Sequence, residues 1–413
     1  MQNRSLKLSA YLPSLLISIG LLIVLLLLKK WLSPGSVSYA FWYNFLSCVQ
    51  LIILFFAIIH LAIVLLAKKL SAKKSLGVSI VAVLLLVSFL EVSAKYLLDH
   101  PHHIPKKFRH YFHVYYDGFD MAIFQYESQC SQYDSSLFYS MKPSGRFVFS
   151  NREYADSFYT DVNGFRDQRR EFMPDIICLG DSYTMGYGVG QDHTIPANIE
   201  RLTGLKALNT GMSSFGTARQ VLTLAKRDFS QSQIIIWQYC ENDWTENVKF
   251  IEDSFSFSPS SRKEFERLQQ VNEWKQQYFP AKHSMTLLKM IVRGEFGLKG
   301  PDKFAKPISS GDQAENFLTI IEYCKDVIGE KKIVLYELGY YKPFSDFIRS
   351  VKTLLNGERF KHLADMVIPL DVFPSLTKED YYILDVHIKA EGNRKVAAFM
   401  RSTIDQLVRR SFP

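Results

Sequence analysis

A serine, an aspartate and a histidine stand in this chain at spacings that acyl-transfer chemistry can use. The apolar run Asp175-Ile-Ile-Cys-Leu179 leads directly into Gly180-Asp181-Ser182. A strand ending in such a turn presents its serine at the carboxyl end of a sheet, where open α/β sheets bind ligands. A serine hydroxyl is a weak nucleophile unless a neighbouring base takes its proton and a third group orients that base. Asp385-Val-His387 supplies both groups. Two residues apart in an extended segment, the carboxylate and the imidazole project to one face, so one ring nitrogen can be held while the other is aimed at Ser182. Glycines at 186, 188 and 190 let the backbone turn closely around the serine, and amides of the following helix can face a developing anion.

These residues need a rigid frame. Short β-rich runs at Asp175–Leu179, Lys206–Asn209, Gln233–Trp237, Lys332–Tyr336 and Met366–Pro369 alternate with helical stretches such as Ala218–Phe229, Glu315–Ile328 and Glu391–Val408. That alternation argues for a parallel sheet covered on both faces. The last helix carries an apolar stripe at helical spacing, Val396, Met400, Ile404, Leu407 and Val408, which marks its core-facing side.

Four sequence blocks occur in the order of the SGNH, or GDSL-type, hydrolase superfamily, which the chain resembles from about Asn163-Gly-Phe-Arg-Asp167 to its C-terminus. Gly180-Asp-Ser-Tyr-Thr184 is similar to the first block, Asn209-Thr-Gly-Met-Ser-Ser-Phe-Gly216 to the second, Cys240-Glu-Asn-Asp243 to the third and Asp385-Val-His387 to the last. The resemblance implies a three-layer αβα, flavodoxin-like SGNH domain. It also implies Ser182, His387 and Asp385 as catalytic residues, and an oxyanion hole drawn from Ser182, Ser214, Gly211 and Asn242. Three departures stand out. Ser214 replaces the family's oxyanion glycine, Cys240 replaces another glycine, and the acid and base are one residue closer than in many members, a spacing similar to that of periplasmic polysaccharide O-acetylation proteins.

The first quarter of the chain is of another kind. Apolar stretches at Tyr11–Leu28, Phe45–Ala67 and Leu76–Leu90, the last running on towards Leu98, are each long enough to cross or nearly cross a bilayer core that needs about 20 residues. The first is not expected to be a cleaved signal, since its apolar run is long and meets Lys29 and Lys30 without a small-residue cleavage site. Arg4, Lys7, Lys68, Lys69, Lys73 and Lys74 favour a cytoplasmic N-terminus, and Lys29, Lys30, Lys95, Lys106, Lys107 and Arg109 the reverse. The short KKLSAKK loop weighs most, which directs the C-terminal domain outside the cytoplasm. Gln50 and His60 fall inside the second stretch, where contact with a neighbouring helix is the simplest role.

The remaining composition narrows the partners. A net charge of +8 over 413 residues, dispersed rather than gathered on one face, suits a lipid bilayer and gives no sign of nucleic-acid binding. Cys48, Cys130, Cys178, Cys240 and Cys324 follow neither a disulfide framework nor a zinc spacing. The histidines at 100, 102, 103, 110 and 113 lack paired acidic or thiol ligands and read as an interfacial linker, and His193 as a surface residue. No metal or cofactor is called for, and nothing specifies a protein partner.

The expected organisation is a transmembrane region over 1–98, an aromatic-rich juxtamembrane lead-in over 99–172, and the SGNH domain over 173–413. An insertion at about 244–312, with a charged helix around Lys263–Tyr278, either borders the active-site mouth or elaborates the surface. The expected activity is that of a membrane-anchored serine esterase or O-acyl transferase working on acylated envelope glycans or lipids. The rival is a catalytically degenerate module that binds a glycan or lipid in a preserved cleft, which the bulk of Ser214 and Cys240 would favour.

Overall fold

A computed structural model describes residues 12–66, 70–169, 172–295 and 308–411. They fall into two compact units, Met1–Met121 with Gln270–Pro301, and Ala122–Gln269 with Asp302–Pro413. This division cuts elsewhere than the expected boundaries. The part of the lead-in from residue 122 joins the sheet, and residues 270–295 of the insertion join the apolar helices.

The first unit is built on α1 (Leu12–Trp31), α2 (Tyr39–Leu66) and α3 (Ala72–Asp99), each long and apolar enough to cross a membrane. At about 1.5 Å per residue, the 28 residues of α2 or α3 exceed a hydrocarbon core of about 30 Å. Several polar side chains inside the bundle pair across helices. His60 Nε2 lies 3.0 Å from Ser14 Oγ and its Nδ1 2.9 Å from Ser79 Oγ, tying α2 to α1 and α3, while Lys29 Nζ donates to Gln50 Oε1. The basic positions at 4, 7, 68 and 69 used for the expected orientation lie outside the described residues.

Two further helices complete this unit, α4 (Arg109–Phe119) and the helix Lys282–Glu295. Glu91 of α3 accepts from the first-turn groups of the latter, Ser284 N at 2.8 Å, Ser284 Oγ at 2.7 Å and His283 N at 3.3 Å. A carboxylate at a helix start satisfies orphan amides and complements the helix dipole.

The second unit carries a five-stranded parallel sheet. Its strands are β5 (Ile176–Leu179), β6 (Ala207–Asn209), β7 (Ile234–Tyr239), β8 (Lys332–Glu337) and β9 (Val367–Leu370). They lie in the order β6-β5-β7-β8-β9 and all neighbouring pairs are parallel. Numbered within the sheet this is 2-1-3-4-5, the flavodoxin-like order. Alternation along the strands builds a core on each face. Ile177, Leu179, Ile235, Trp237, Ile333 and Leu335 join one apolar cluster, and Ile176, Cys178, Ile234, Ile236, Val334 and Tyr336 the other.

Helices cover both faces. The C-terminal helix Ala390–Ser411 lays the expected stripe on the second cluster, with Val396, Met400, Ile404 and Leu407 buried. The stretch expected as one helix over Ala218–Phe229 is shorter, an α-helix over Thr217–Thr223 passing into a single 3₁₀ turn, Leu224–Lys226.

Two antiparallel hairpins precede the sheet, β1 (Ser131–Asp134) with β2 (Phe138–Met141), and β3 (Arg146–Asn151) with β4 (Tyr154–Tyr159). Their aromatic wealth has a structural cause. Phe124, Tyr139, Phe149, Tyr154 and Phe158 pack with Met185, Tyr187, Met212 and Phe215 in a third core, so the lead-in is clamped onto the loops that follow β5 and β6.

Candidate active site

Ser182 opens a four-residue helix, Ser182–Met185, at the carboxyl end of β5. Asp181 caps that helix, its Oδ1 accepting from Tyr183 N at 2.9 Å. At the other end Gly186 takes φ +84°, and an added Cβ would meet Thr194 Cγ2 at 2.5 Å, so only glycine closes the turn without strain. Gly188 also has positive φ, whereas Gly190 sits at an ordinary −62°. The buried Arg166 guanidinium braces the same loop, donating to the carbonyls of Met185, Gly186 and Val189 at 2.8, 2.7 and 2.6 Å. Burial lowers its pKa to about 10, partly opposed by Asp156.

Ser182, His387 and Asp385 form one hydrogen-bonded chain. Ser182 Oγ lies 2.7 Å from His387 Nε2, and His387 Nδ1 meets Asp385 Oδ1 in a short contact. All three are buried. The Asp-x-His segment is a bend rather than the expected extended strand. The pair meets because Asp385 Oδ1 also accepts from His387 N at 3.1 Å.

What holds this bend comes from the lead-in. Tyr154 Oη donates to Asp385 Oδ2 at 3.0 Å. The Glu153 carboxylate accepts from the amides of Ile383, Leu384 and Asp385 at 2.9, 2.7 and 3.0 Å. The rings of Tyr187 and Tyr183 lie 4.4 Å and 4.8 Å from the imidazole centre, the first stacked on it.

The two nearby acids are driven apart. Burial opposes ionisation of Asp385, but the His387 charge and the hydrogen bonds from His387 and Tyr154 hold its carboxyl down to about 2. Burial pushes the Asp181 carboxyl up, against the amide of Tyr183 and the His387 charge. Among the described residues its Oδ2 has no hydrogen-bond donor of good geometry, although the Cys240 and Asn242 side chains lie beside the carboxylate. Such divergence sorts acids into roles, and Asp385 is the one fitted to face an imidazolium.

The expected oxyanion donors separate. Asn242 follows β7 and lies, with Cys240, against the Asp181 carboxylate. Ser214 is exposed and adopts φ +59°. Its Oγ accepts from Gln125 Nε2 at 3.1 Å and its carbonyl from Arg219 Nη2 at 2.6 Å, which leaves its amide without a protein acceptor among the described residues. Gly211 must be corrected. Its amide donates to Asn209 Oδ1 at 3.1 Å, and an added Cβ would stand 2.3 Å from Met185 N. Glycine is needed there for close packing on the nucleophile helix, and its amide is already engaged.

Four blocks, the flavodoxin-like strand order and a linked serine, histidine and aspartate now stand together. This is the arrangement that the resemblance to SGNH hydrolases implies. No family model matches the chain, and no curated protein matches it in sequence. Among solved structures, a lipolytic protein of the G-D-S-L family from Veillonella parvula is similar at 13% identity and TM-score 0.32, covering 56% of this chain and 98% of its own. A proposed lipolytic protein of that family from Desulfitobacterium hafniense is similar at 11% identity and TM-score 0.28, covering 55% of this chain and 97% of its own.

Sequence reasoning missed Glu153, Tyr154, Arg166 and Tyr187 as supports of the Ser182, His387 and Asp385 site. Arg166 falls in the recognised lead-in motif, but its three carbonyl partners lie 19 to 23 residues away. Glu153 sits in the β3–β4 turn and Tyr154 opens β4, about 230 residues from the loop they hold, and no local pattern marks such a pairing. The remaining histidines do other work. His103 Nδ1 lies 2.9 Å from Tyr96 Oη and its ring stacks on Tyr96, while His193 is exposed.

Proposed function

We propose that this protein is a membrane-anchored SGNH-type serine esterase or O-acyl transferase acting through an acyl-enzyme on Ser182. The observation that carries the reading is the 2.7 Å approach of Ser182 Oγ to a histidine whose other nitrogen is held by an ionised, buried aspartate.

In this reading Ser182 Oγ attacks the acyl carbonyl carbon as its proton passes to His387 Nε2, and Asp385 stabilises the imidazolium. The amides of Ser182 and Ser214 and the side chain of Asn242 receive the oxyanion. Losing one such donor typically costs about 10²–10³ in rate. Collapse expels the alcohol, which takes the proton from Nε2 and leaves Ser182 acylated. Water, or an acceptor hydroxyl, then gives its proton to Nε2 and attacks the acyl carbon, and collapse expels Ser182 Oγ, which takes that proton back from Nε2. The three spanning-length helices support attachment to a bilayer, and the Asp-x-His spacing supports acylated envelope glycans or lipids, outside the cytoplasm, as substrates.

Purified full-length protein treated with a fluorophosphonate probe and short-chain nitrophenyl esters, beside Ser182→Ala, tests the chemistry. Labelling and turnover that vanish with Ser182 are expected. An unlabelled native serine would sink the reading and favour a binding module. A reporter fused after Pro413 tests the orientation, and activity in the cytoplasm would overturn it.

A further inference from the structure

Beyond the triad, the first unit holds a group of cations with which no described acid forms an ion pair. Lys289, on the helix Lys282–Glu295, is partly buried, and its ammonium donates to Asn44 Oδ1 at 2.7 Å. Asn44 is itself buried and donates to Thr286 Oγ1 at 2.9 Å. Lys29 of α1 and Arg293 one helical turn on, both cations, act on Lys289 beside the Cys48 thiol, and the Glu91 carboxylate, which also acts on Cys48, accepts from His283 N, Ser284 N and Ser284 Oγ instead. Burial pulls Lys289 down to about 8, opposed by Cys48 and reinforced by Arg293 and Lys29. Elsewhere in the unit cations find acids, as Lys107 does with Glu295 at 3.1 Å and Lys95 with Asp99 at 2.6 Å. Asn44 and Gln50 offer Lys289 and Lys29 a dipole and no charge.

The place of the cluster in the fold narrows what could neutralise it. Lys29 stands in the last turn of α1, and Asn44 early in α2. Exposed aromatic side chains ring this end of the two helices, Trp31 with 87% of its surface open, Trp42 with 42% and Tyr43 with 40%. Tryptophan and tyrosine gather where apolar helix ends meet lipid headgroups. The faces of α1 beyond them are apolar and open, Leu27, Leu26, Val24 and Ile23 among them, as lipid-facing surfaces are. Basic side chains at headgroup depth attract anionic lipid headgroups by charge, here on the side of the bilayer to which the proposed orientation assigns the C-terminal end of α1.

We propose that Lys29, Lys289 and Arg293 form a binding site for the phosphate of an anionic phospholipid. Lys289 and Lys29 supply inward-facing ammonium donors and the exposed Arg293 a planar fork suited to two phosphate oxygens. The site is independent of the triad chemistry, and its test needs no turnover.

The test uses the full chain in nanodiscs of phosphatidylcholine with or without phosphatidylglycerol, followed by native mass spectrometry of lipids retained after gentle release. Wild type is expected to retain phosphatidylglycerol over phosphatidylcholine. Each of Lys29→Gln, Lys289→Gln and Arg293→Gln should weaken that preference about fivefold, and Lys289→Arg should keep it. Arg293→Gln touches no buried hydrogen bond, so it reads the site even if Lys289→Gln folds poorly. Equal retention of both lipids by wild type would overturn the proposal, as would a preference that survives all three substitutions. Stabilisation by millimolar inorganic phosphate equal to that by phosphatidylglycerol would overturn the lipid assignment.

Discussion

The Tyr154 hydroxyl donates to Oδ2 of Asp385 at 3.0 Å, while Oδ1 of the same carboxylate faces the histidine ring. Asn151 Nδ2 donates to Tyr154 Oη in turn, at 3.0 Å. A carboxylate served on both oxygens has one orientation, and so has the imidazole it holds.

Tyr154→Phe should therefore lower kcat while leaving KM nearly unchanged. A hydrogen bond to a charged acceptor is worth about 1.5–3 kcal/mol, or about ten- to a hundredfold in rate. Steady-state kinetics on a nitrophenyl ester, with melting curves alongside, check this. An unchanged kcat, or a loss that follows melting alone, would assign Tyr154 to packing.

His387→Ala should abolish acylation, and Asp385→Asn should cut turnover far more than stability. An amide at 385 keeps the shape but can hold the imidazole in the wrong tautomer, a change that costs about 10⁴ in another serine triad. Probe labelling rates of the two variants provide the check. Near-wild-type labelling of a normally melting His387→Ala protein would place the base elsewhere.

The acid at 385 also predicts a pH response. Its folded pKa of about 2 lies below the ordinary 3.8, so the folded state binds its proton less readily than the unfolded one. The stability it contributes is complete above the ordinary carboxylate range and is lost as pH falls from about 4 through about 2. The melting-temperature gap between wild type and Asp385→Asn should narrow over that interval. A constant gap from pH 6 to pH 2 would contradict this sign.

Gly211→Ala should destabilise the catalytic unit by about 1–3 kcal/mol, the usual cost of overpacking, because its Cβ would stand 2.3 Å from Met185 N. Ser214→Gly removes only the hydroxyl that accepts from Gln125 and leaves the amide, so labelling should persist. Thermal melts and probe labelling of both variants separate packing from chemistry at this loop.

The sequence made the sheet legible because fully buried strands read as continuous apolar runs. All four residues of β5 and all six of β7 are buried. The triad was legible because each member sits in a short block with its own pattern. The Gly211 assignment failed because the neighbouring Asn209 side chain takes the amide, a bond no spacing reveals. The lead-in hid its role for a related reason. Its aromatic residues suggested a membrane-proximal segment, whereas from Ala122 they pack around Met185 and Tyr187, a contact fixed only by the tertiary fold.

The brace from Tyr154 to Asp385 spans 231 residues of chain, and the contact from Ser182 to His387 spans 205. Contacts so distant in sequence form late, after their loop-closure entropy has been met by the sheet between them. During synthesis the β3–β4 hairpin and the nucleophile turn emerge long before their partners, and wait with a buried-type carboxylate, Glu153, still in water. The bend at 385–387 cannot dock before that later segment has been made. Until then Ser182 stands without the imidazole that faces it in the folded chain.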